Sequence, residues 1–155
     1  MVAGRGLWTD RPGTNFITAH ELDPVRLTAR TTRALLGLRL DCAQCHDHPF
    51  AKWKQADFQG LAAFYGGVKH SLTGIDDGDG KFHPGGRMMM APSQPAVAPK
   101  VPFAPEALPS EGSDRQRLAG WITSPNNPHF SKAISARVWA LLFGRALTMS
   151  GVDDV

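Results

Sequence analysis

The chain holds two cysteines, and both fall within Asp41-Cys42-Ala43-Gln44-Cys45-His46-Asp47-His48-Pro49-Phe50. Cys42, Cys45 and His46 make the C-x-x-C-H pattern, the attachment signature of c-type haem. Two thiols three positions apart can form thioethers to the two vinyl groups of one porphyrin. The imidazole beside the second thiol then lies under the iron as its proximal ligand. The same residues support other chemistry. Cys42 and Cys45 also read as a redox dithiol, although no βαβ pattern surrounds them. They read equally as half of a zinc site, completed by two of His46, His48, His70 and His83. A structural turn without a cofactor is the fourth reading.

A haem held by His46 has room for a second axial ligand. Met88-Met89-Met90 offers thioethers, and His70 and His83 offer imidazoles. His48 is too near His46 in sequence to reach the opposite haem face. It enters instead as an alternative zinc ligand with Cys42 and Cys45. The ordinary role of a methionine run is to cover apolar surface. Phe50 and Trp53 follow the motif and could wall a flat cofactor or serve as core anchors.

The elements that must position these residues are mostly helical. Asp23-Pro24 starts a helix expected over 24–40, because Asp caps free N–H groups and Pro is tolerated at the first helical position. Val25, Ala29, Thr32 or Arg33, Leu36 and Leu40 recur at helical spacing, and this helix is expected to deliver the chain to Cys42. Arg26, Arg30 and Arg33 line one side of it, as a solvated face or as a holder for haem propionates or a polyanion. A second helix over 55–65 carries Phe58, Leu61, Ala62 and Tyr65 as one stripe and stops at Gly66-Gly67. Ser113-x-x-Gln116 is a capping box that opens a third helix over 113–123. Phe130, Ala133, Ile134, Arg137, Val138, Leu141 and Leu142 mark a fourth over 130–143, ended by Gly144. Trp139 falls off that stripe and is left for a second surface.

Two stretches lack such patterning. Residues 1–22 read as a loosely packed lead-in. Seven of the twelve prolines lie between Pro84 and Pro109, which rules out a long helix or a central strand there. Residues 70–111 are therefore expected to form a long irregular loop, with short strands near 81–90 and 100–103. Ile75-Asp76-Asp77-Gly78-Asp79-Gly80 resembles a calcium loop only weakly, since the acid at the twelfth position is missing. The fold class expected is mainly α, with short helices around the C-x-x-C-H motif and a long Pro/Gly-rich loop, in a fragment of a larger protein.

Composition narrows the function classes. At 155 residues the chain amounts to one domain or a little less. Its 42% hydrophobic content suits a packed core. The net charge of +3 is scattered, with no basic block that would predict nucleic acid. No apolar run approaches the ~18 residues of a membrane span, and Met1-Val2-Ala3-Gly4-Arg5-Gly6 lacks the apolar region of a signal peptide. No nucleophile–base pair or paired carboxylate arrangement points to an enzyme.

Longer strings carry a family resemblance. Leu36-Gly37-Leu38-Arg39-Leu40-Asp41-Cys42-Ala43-Gln44-Cys45-His46-Asp47-His48-Pro49-Phe50, then Trp53, then Leu61-Ala62-Ala63-Phe64, resembles the cytochrome-associated domain of unknown function of planctomycete-type bacteria. Arg117-Leu118-Ala119, Trp121-Ile122-Thr123-Ser124-Pro125, Asn127-Pro128, Phe130, Arg137-Val138-Trp139 and Phe143-Gly144-Arg145 are similar to the opening of its partner domain. The resemblance implies the end of a first domain over 1–69, a linker over 70–111 and the truncated start of the partner over 112–155. It implies an extracytoplasmic protein that works with the remainder of its own longer chain and with a redox partner protein. The function expected is a c-type haem-binding module for electron transfer. The alternative is a non-haem interaction or scaffold domain whose Cys/His cluster binds zinc or stabilises a turn. Two positions depart from the family pattern: Ala51 replaces a frequent acid, and Lys54 replaces a frequent Thr that would cap the helix over 55–65.

Overall fold

The structure, a computed structural model, describes residues 1–85 and 94–147. Helices dominate, and a small two-stranded hairpin makes the fold mixed rather than plainly mainly α. A short helix, α1 (Asn15–Ala19), lies in the stretch expected to be a loose lead-in. That stretch is in fact tied down. Val2, Thr14 and Ile17 are buried, and Gly6 exchanges backbone hydrogen bonds with Ile75 at 2.8 and 3.0 Å. The anchors are single residues separated by turns, so no periodic pattern announces them.

Helix α2 (Pro24–Thr31) begins as its sequence dictates: the Asp23 carboxylate accepts from the Val25 and Arg26 N–H groups. Its buried side agrees with the expected one at Thr32, Leu36 and Leu40 and differs nearer the start. Leu27, Thr28, Thr31 and Thr32 are buried, while Val25 and Ala29 are half-buried. The threonines can be buried because each hydroxyl has an acceptor or donor at hand. Thr28 Oγ1 donates to the Pro24 carbonyl at 2.7 Å, Thr32 Oγ1 to the Thr28 carbonyl at 3.0 Å, and Thr31 pairs with the Tyr65 hydroxyl at 2.6 Å. Such back-bonding competes with the regular ladder, and over Thr32–Leu36 the helix widens to a π turn in which the Gly37 N–H reaches the Thr32 carbonyl. Gly37, at φ 63°, takes the left-handed conformation that stops it. The helix thus ends short of residue 40. Leu38 and Leu40 still enter the core, but from irregular backbone.

Helix α3 (Gln55–Ala63) buries Phe58 and Leu61, and the chain just beyond it buries Phe64 and Tyr65. Lys54 precedes it and has no acceptor to offer. The Asp57 carboxylate supplies the other half of a cap by accepting from the Lys54 N–H at 2.9 Å. Strands β1 (Val68–Ser71) and β2 (Gly74–Asp77) then pair antiparallel, Val68 opposite Asp77 and Ser71 opposite Gly74. Most of this hairpin lies in the segment over 70–111 expected to be an irregular loop. Its sequence signal is faint because the strands are four residues long and Leu72 at the turn is fully exposed. Gly74 is required at φ 102°, and a Cβ there would lie 2.3 Å from the Gly6 backbone. Two of the three carboxylates of the supposed calcium loop are committed to arginines: Asp76 pairs with Arg5 and Asp77 with Arg115.

No strand forms over 100–103, although Val101 is buried and Lys100 N–H bonds the Gly60 carbonyl at 3.1 Å. The strand expected near 81–90 reduces, among described residues, to a single bridge between Phe82 and Val97. Helix α4 (Asp114–Thr123) opens on the expected reciprocal cap between Ser113 and Gln116. Asn127 caps helix α5 (Pro128–Phe143) by accepting from the His129 N–H at 3.1 Å. In α5 the expected stripe divides. Ala133 is buried and Phe130, Ile134 and Arg137 are half-buried, whereas Val138, Leu141 and Leu142 are exposed; Ala136, outside that stripe, is buried instead. Trp139 stacks within its own helix on Phe143, with ring centroids 4.1 Å apart.

One core joins these elements. Leu118, Trp121 and Ile122 of α4 share a cluster with Ile17, Leu27, Leu36, Phe58 and Leu61. Arg115, only 1% exposed, threads through its edge. It pairs with Asp77 and donates to the Val2 and Gly4 carbonyls at 3.2 and 2.8 Å. No described helix is long and apolar enough to cross a membrane.

Candidate functional site

The C-x-x-C-H residues sit on a one-turn 3-10 helix, Asp41–Gln44, that continues into an exposed loop. The motif therefore follows a separate turn and is not the direct end of α2. Ala43 is fully buried between the two cysteines, while Cys42, Cys45 and His46 are exposed. A small apolar residue anchors the turn to the core, and the reactive groups on either side face outward. Both thiols are free.

The loop is held by hydrogen bonds at both ends. The Gln55 side-chain amide donates to the Cys45 carbonyl at 2.9 Å and to the Gln44 carbonyl at 3.3 Å. The Asp47 carboxylate accepts from the Gln55 N–H at 2.9 Å, at the first turn of α3 where free N–H groups and the helix dipole favour an anion. The His48 N–H donates to the Trp53 carbonyl at 2.8 Å. Asp47 and Gln55 are supports of the motif loop that sequence reasoning missed. Their only signal was an acid eight positions ahead of a helix start, too distant for a local capping rule.

The two motif histidines are set differently. His46 Nδ1 lies 2.7 Å from the Asp47 carbonyl, an acceptor, so Nδ1 carries the proton and Nε2 keeps its lone pair. His48 Nδ1 instead accepts from the Phe50 N–H at 3.2 Å, which in the neutral ring leaves the proton on Nε2. His46 thus has the tautomer of an Nε2 metal ligand, and His48 does not.

The aromatics expected to flank a cofactor also separate. Phe50 is 94% exposed. Trp53 is half-buried, 6.1 Å from the Phe103 ring, with the Lys52 ammonium 5.2 Å above its own. Phe103 in turn meets Trp121 at 4.8 Å and His129 at 4.7 Å. It is thus the hub linking the motif loop to α4 and α5. Burial pushes the His129 imidazole below its ordinary value, with Lys132 and Lys52 adding to the effect. Burial likewise raises the Tyr65 phenol well above its ordinary range, against the opposing Thr31 hydrogen bond and the Arg115 charge.

The remaining candidates are placed as follows. His70 lies exposed on β1 opposite Ile75. His83 is half-buried, with Nδ1 3.1 Å from the Gln94 carbonyl. Met88, Met89 and Met90 lie outside the described residues. Among the described residues, no three His, Cys, Asp or Glu side chains converge as a metal cage would need.

Residues 5–70 match PSCyt2, described as a protein of unknown function (DUF1549). Residues 114–155 match PSD1, also described as a protein of unknown function (DUF1553). The chain is thus similar to PSCyt2 over its first part and to the start of PSD1 over its last. No curated protein and no solved structure matches it. The C-x-x-C-H turn and its Gln55 clamp lie in the stretch that matches PSCyt2, and Trp121 and His129 in the stretch that matches PSD1. Phe103, which bridges them, lies in neither.

Proposed function

We propose that the PSCyt2 segment is a c-type haem-attachment module of an exported redox protein, with Cys42 and Cys45 as thioether sites and His46 as the axial ligand. The observation that supports this reading most is the tautomer of His46. Its Nδ1–H is held by the Asp47 carbonyl, which orients the ring and leaves Nε2 to bind iron. Free, exposed thiols on a turn anchored by buried Ala43 suit covalent attachment by an external machinery. Haem bound here would supply one-electron transfer, with a redox protein as partner. Gln55, Asp47 and the His48–Trp53 bond hold the loop in place, and the exposed Phe50 offers an apolar contact beside it. His70 and His83, and the methionine triplet by sequence alone, are the candidate second axial ligands.

A second reading rests on the same clamp. Gln55 and Asp47 hold the turn without any cofactor, as a scaffold or interaction loop requires. Zinc at Cys42 and Cys45 would need His48 to change tautomer.

The test is expression in an oxidising compartment with haem-attachment machinery, then denaturation with spectrum and intact mass. The haem reading expects pigment and a haem mass increment that survive denaturation. Cys45→Ser should weaken attachment. His46→Ala should remove the low-spin spectrum, and His48→Ala should leave it. A colourless chain with one equivalent of zinc, lost on unfolding, would replace this reading with zinc binding. A colourless, metal-free chain with both thiols titratable would leave a structural turn.

A further inference from the structure

Away from the motif, two adjoining turns present large apolar side chains to solvent. Leu72, at the tip of the β1–β2 hairpin, is fully exposed, and Trp8 and Leu7 are 59% and 45% exposed. The Gly6–Ile75 backbone bonds dock the turn that starts at Leu7 beside the hairpin. A Cβ on Gly74 would lie 2.6 Å from the Leu7 nitrogen. Residues from two distant stretches of sequence therefore make one apolar patch. Surface of this kind is held in water at a cost that burial against a partner relieves.

Local hydrogen bonds preset both turns. The Leu7 carbonyl accepts from the Asp10 and Arg11 N–H groups at 3.2 and 2.9 Å. In the hairpin turn, Ser71 Oγ donates to the Gly74 carbonyl at 3.0 Å and accepts from the Thr73 N–H at 3.3 Å. The apolar residues are thus carried outward on held backbone, little of which needs ordering when something binds.

Shape and charge select the partner. A side chain as exposed as Leu72 stands proud of its surroundings and offers no hollow in which a protein anchor or a second copy could seat. A bilayer interface yields around such a tip. Trp is a residue type that settles at headgroup level, with its ring in the apolar layer and its N–H in the wet one. Three cations, Arg5, Arg11 and Lys69, and two acids, Asp10 and Asp76, stand on or beside the turns. Asp76 already pairs with Arg5, so the remaining balance is positive, as is the net charge of +3 over the chain. Thr9 and Thr73, both exposed, add hydroxyls that suit phosphate oxygens.

We propose that the tip formed by Leu7, Trp8 and Leu72 inserts into the headgroup layer of an anionic phospholipid bilayer, with Arg11 and Lys69 against its surface charge. Insertion is shallow, since the peptide groups of two turns need the water that persists at that depth. It uses neither haem nor the Cys42–His46 loop, so it stands or falls apart from the redox reading.

The test is co-sedimentation of the full chain with phosphatidylcholine vesicles, with and without phosphatidylglycerol. The chain should bind the anionic vesicles more tightly, and added salt should weaken that binding. Leu72→Glu and Trp8→Ala should each lower partitioning about tenfold or more, through the lost burial of one large side chain. Arg11→Glu should lower it about fivefold or more on anionic vesicles and little on neutral ones. Leu141→Glu makes the same change as Leu72→Glu on the exposed face of α5 and should leave binding nearly unchanged. All four side chains are exposed, so the variants should fold, and matching urea midpoints would show it. A nitroxide carried shallowly on the lipid should quench tryptophan fluorescence, and Trp8→Phe should remove that quenching. The proposal is overturned if vesicles carry down no more chain than a vesicle-free control, or if neutral and anionic vesicles bind alike. It is equally overturned if Leu72→Glu binds as the unmodified chain does, if Leu141→Glu weakens binding as much, or if quenching persists in Trp8→Phe. A dimer in velocity sedimentation that Leu72→Glu returns to monomer would overturn it in favour of a second copy.

Discussion

The motif loop and the Arg115 seam use polar groups in opposite ways. Around Cys42, Cys45 and His46, reactive side chains face outward, and the protein holds only the backbone beneath them, through Ala43, Asp47 and Gln55. At the seam, a guanidinium is taken almost wholly out of water and answered by Asp77 and the Val2 and Gly4 carbonyls. The first arrangement leaves chemistry available at little consequence for stability. The second ties residues more than a hundred positions apart into one core, and makes stability depend on a single side chain.

The largest expected effect separates the two regions outright. Arg115→Ala leaves the Asp77 carboxylate unpaired in a largely buried site and strands two backbone carbonyls. Breaking a buried pair from one side typically costs ~3–5 kcal/mol. Cys42→Ser and Cys45→Ser touch exposed groups and should stay within about 0.5 kcal/mol. Urea unfolding of the three variants decides the matter. A cysteine variant as unstable as Arg115→Ala would collapse the distinction.

A smaller effect probes how the loop is held. Asp47→Ala removes the anion at the start of α3, and loss of such a cap costs about 1 kcal/mol. It should also expose 44–50 to proteolysis while the seam keeps its amide protection. Unchanged cleavage in that loop would mean that Gln55 alone holds it.

The pH dependence is the most graded probe, and it has two sides. His129 has a lowered folded value, so below its ordinary value of 6.5 the unfolded chain binds the proton first. Stability is therefore full above that pH and should fall as acid is added. His129→Phe should flatten the acid limb. Tyr65 is shifted the other way: its raised folded value means that stability holds below its ordinary value of 10.0 and declines as the pH rises beyond it. Tyr65→Phe should remove that alkaline decline. Urea midpoints measured across both ranges check the two signs; an acid limb that survives His129→Phe would shift the cause to another group.

Much of this was legible in the sequence, because it depends on neighbours within a few residues. The Asp23 cap and the Ser113–Gln116 box gave helix starts that the backbone adopts, and Gly144 marks the expected stop of α5 by its φ, whereas Gly37 ends the α2 helix earlier than its spacing implied. The C-x-x-C-H pattern was likewise local, and so was the string that carries the PSCyt2 and PSD1 resemblance. Tertiary structure decided what depends on partners far along the chain. It packed residues 1–22 through Arg115 and Ile75. It turned the acidic run at 76–77 toward arginines and built a hairpin from strands too short to show a period. It also sent the outer half of the α5 stripe to the surface, and chose the tautomers of His46 and His48 through two backbone groups. A cap or turn is settled by the free energy of a few adjacent residues. Burial of a charge, or the side of a helix that faces inward, is settled by desolvation against whatever arrives from elsewhere, and a linear pattern does not encode that arrival.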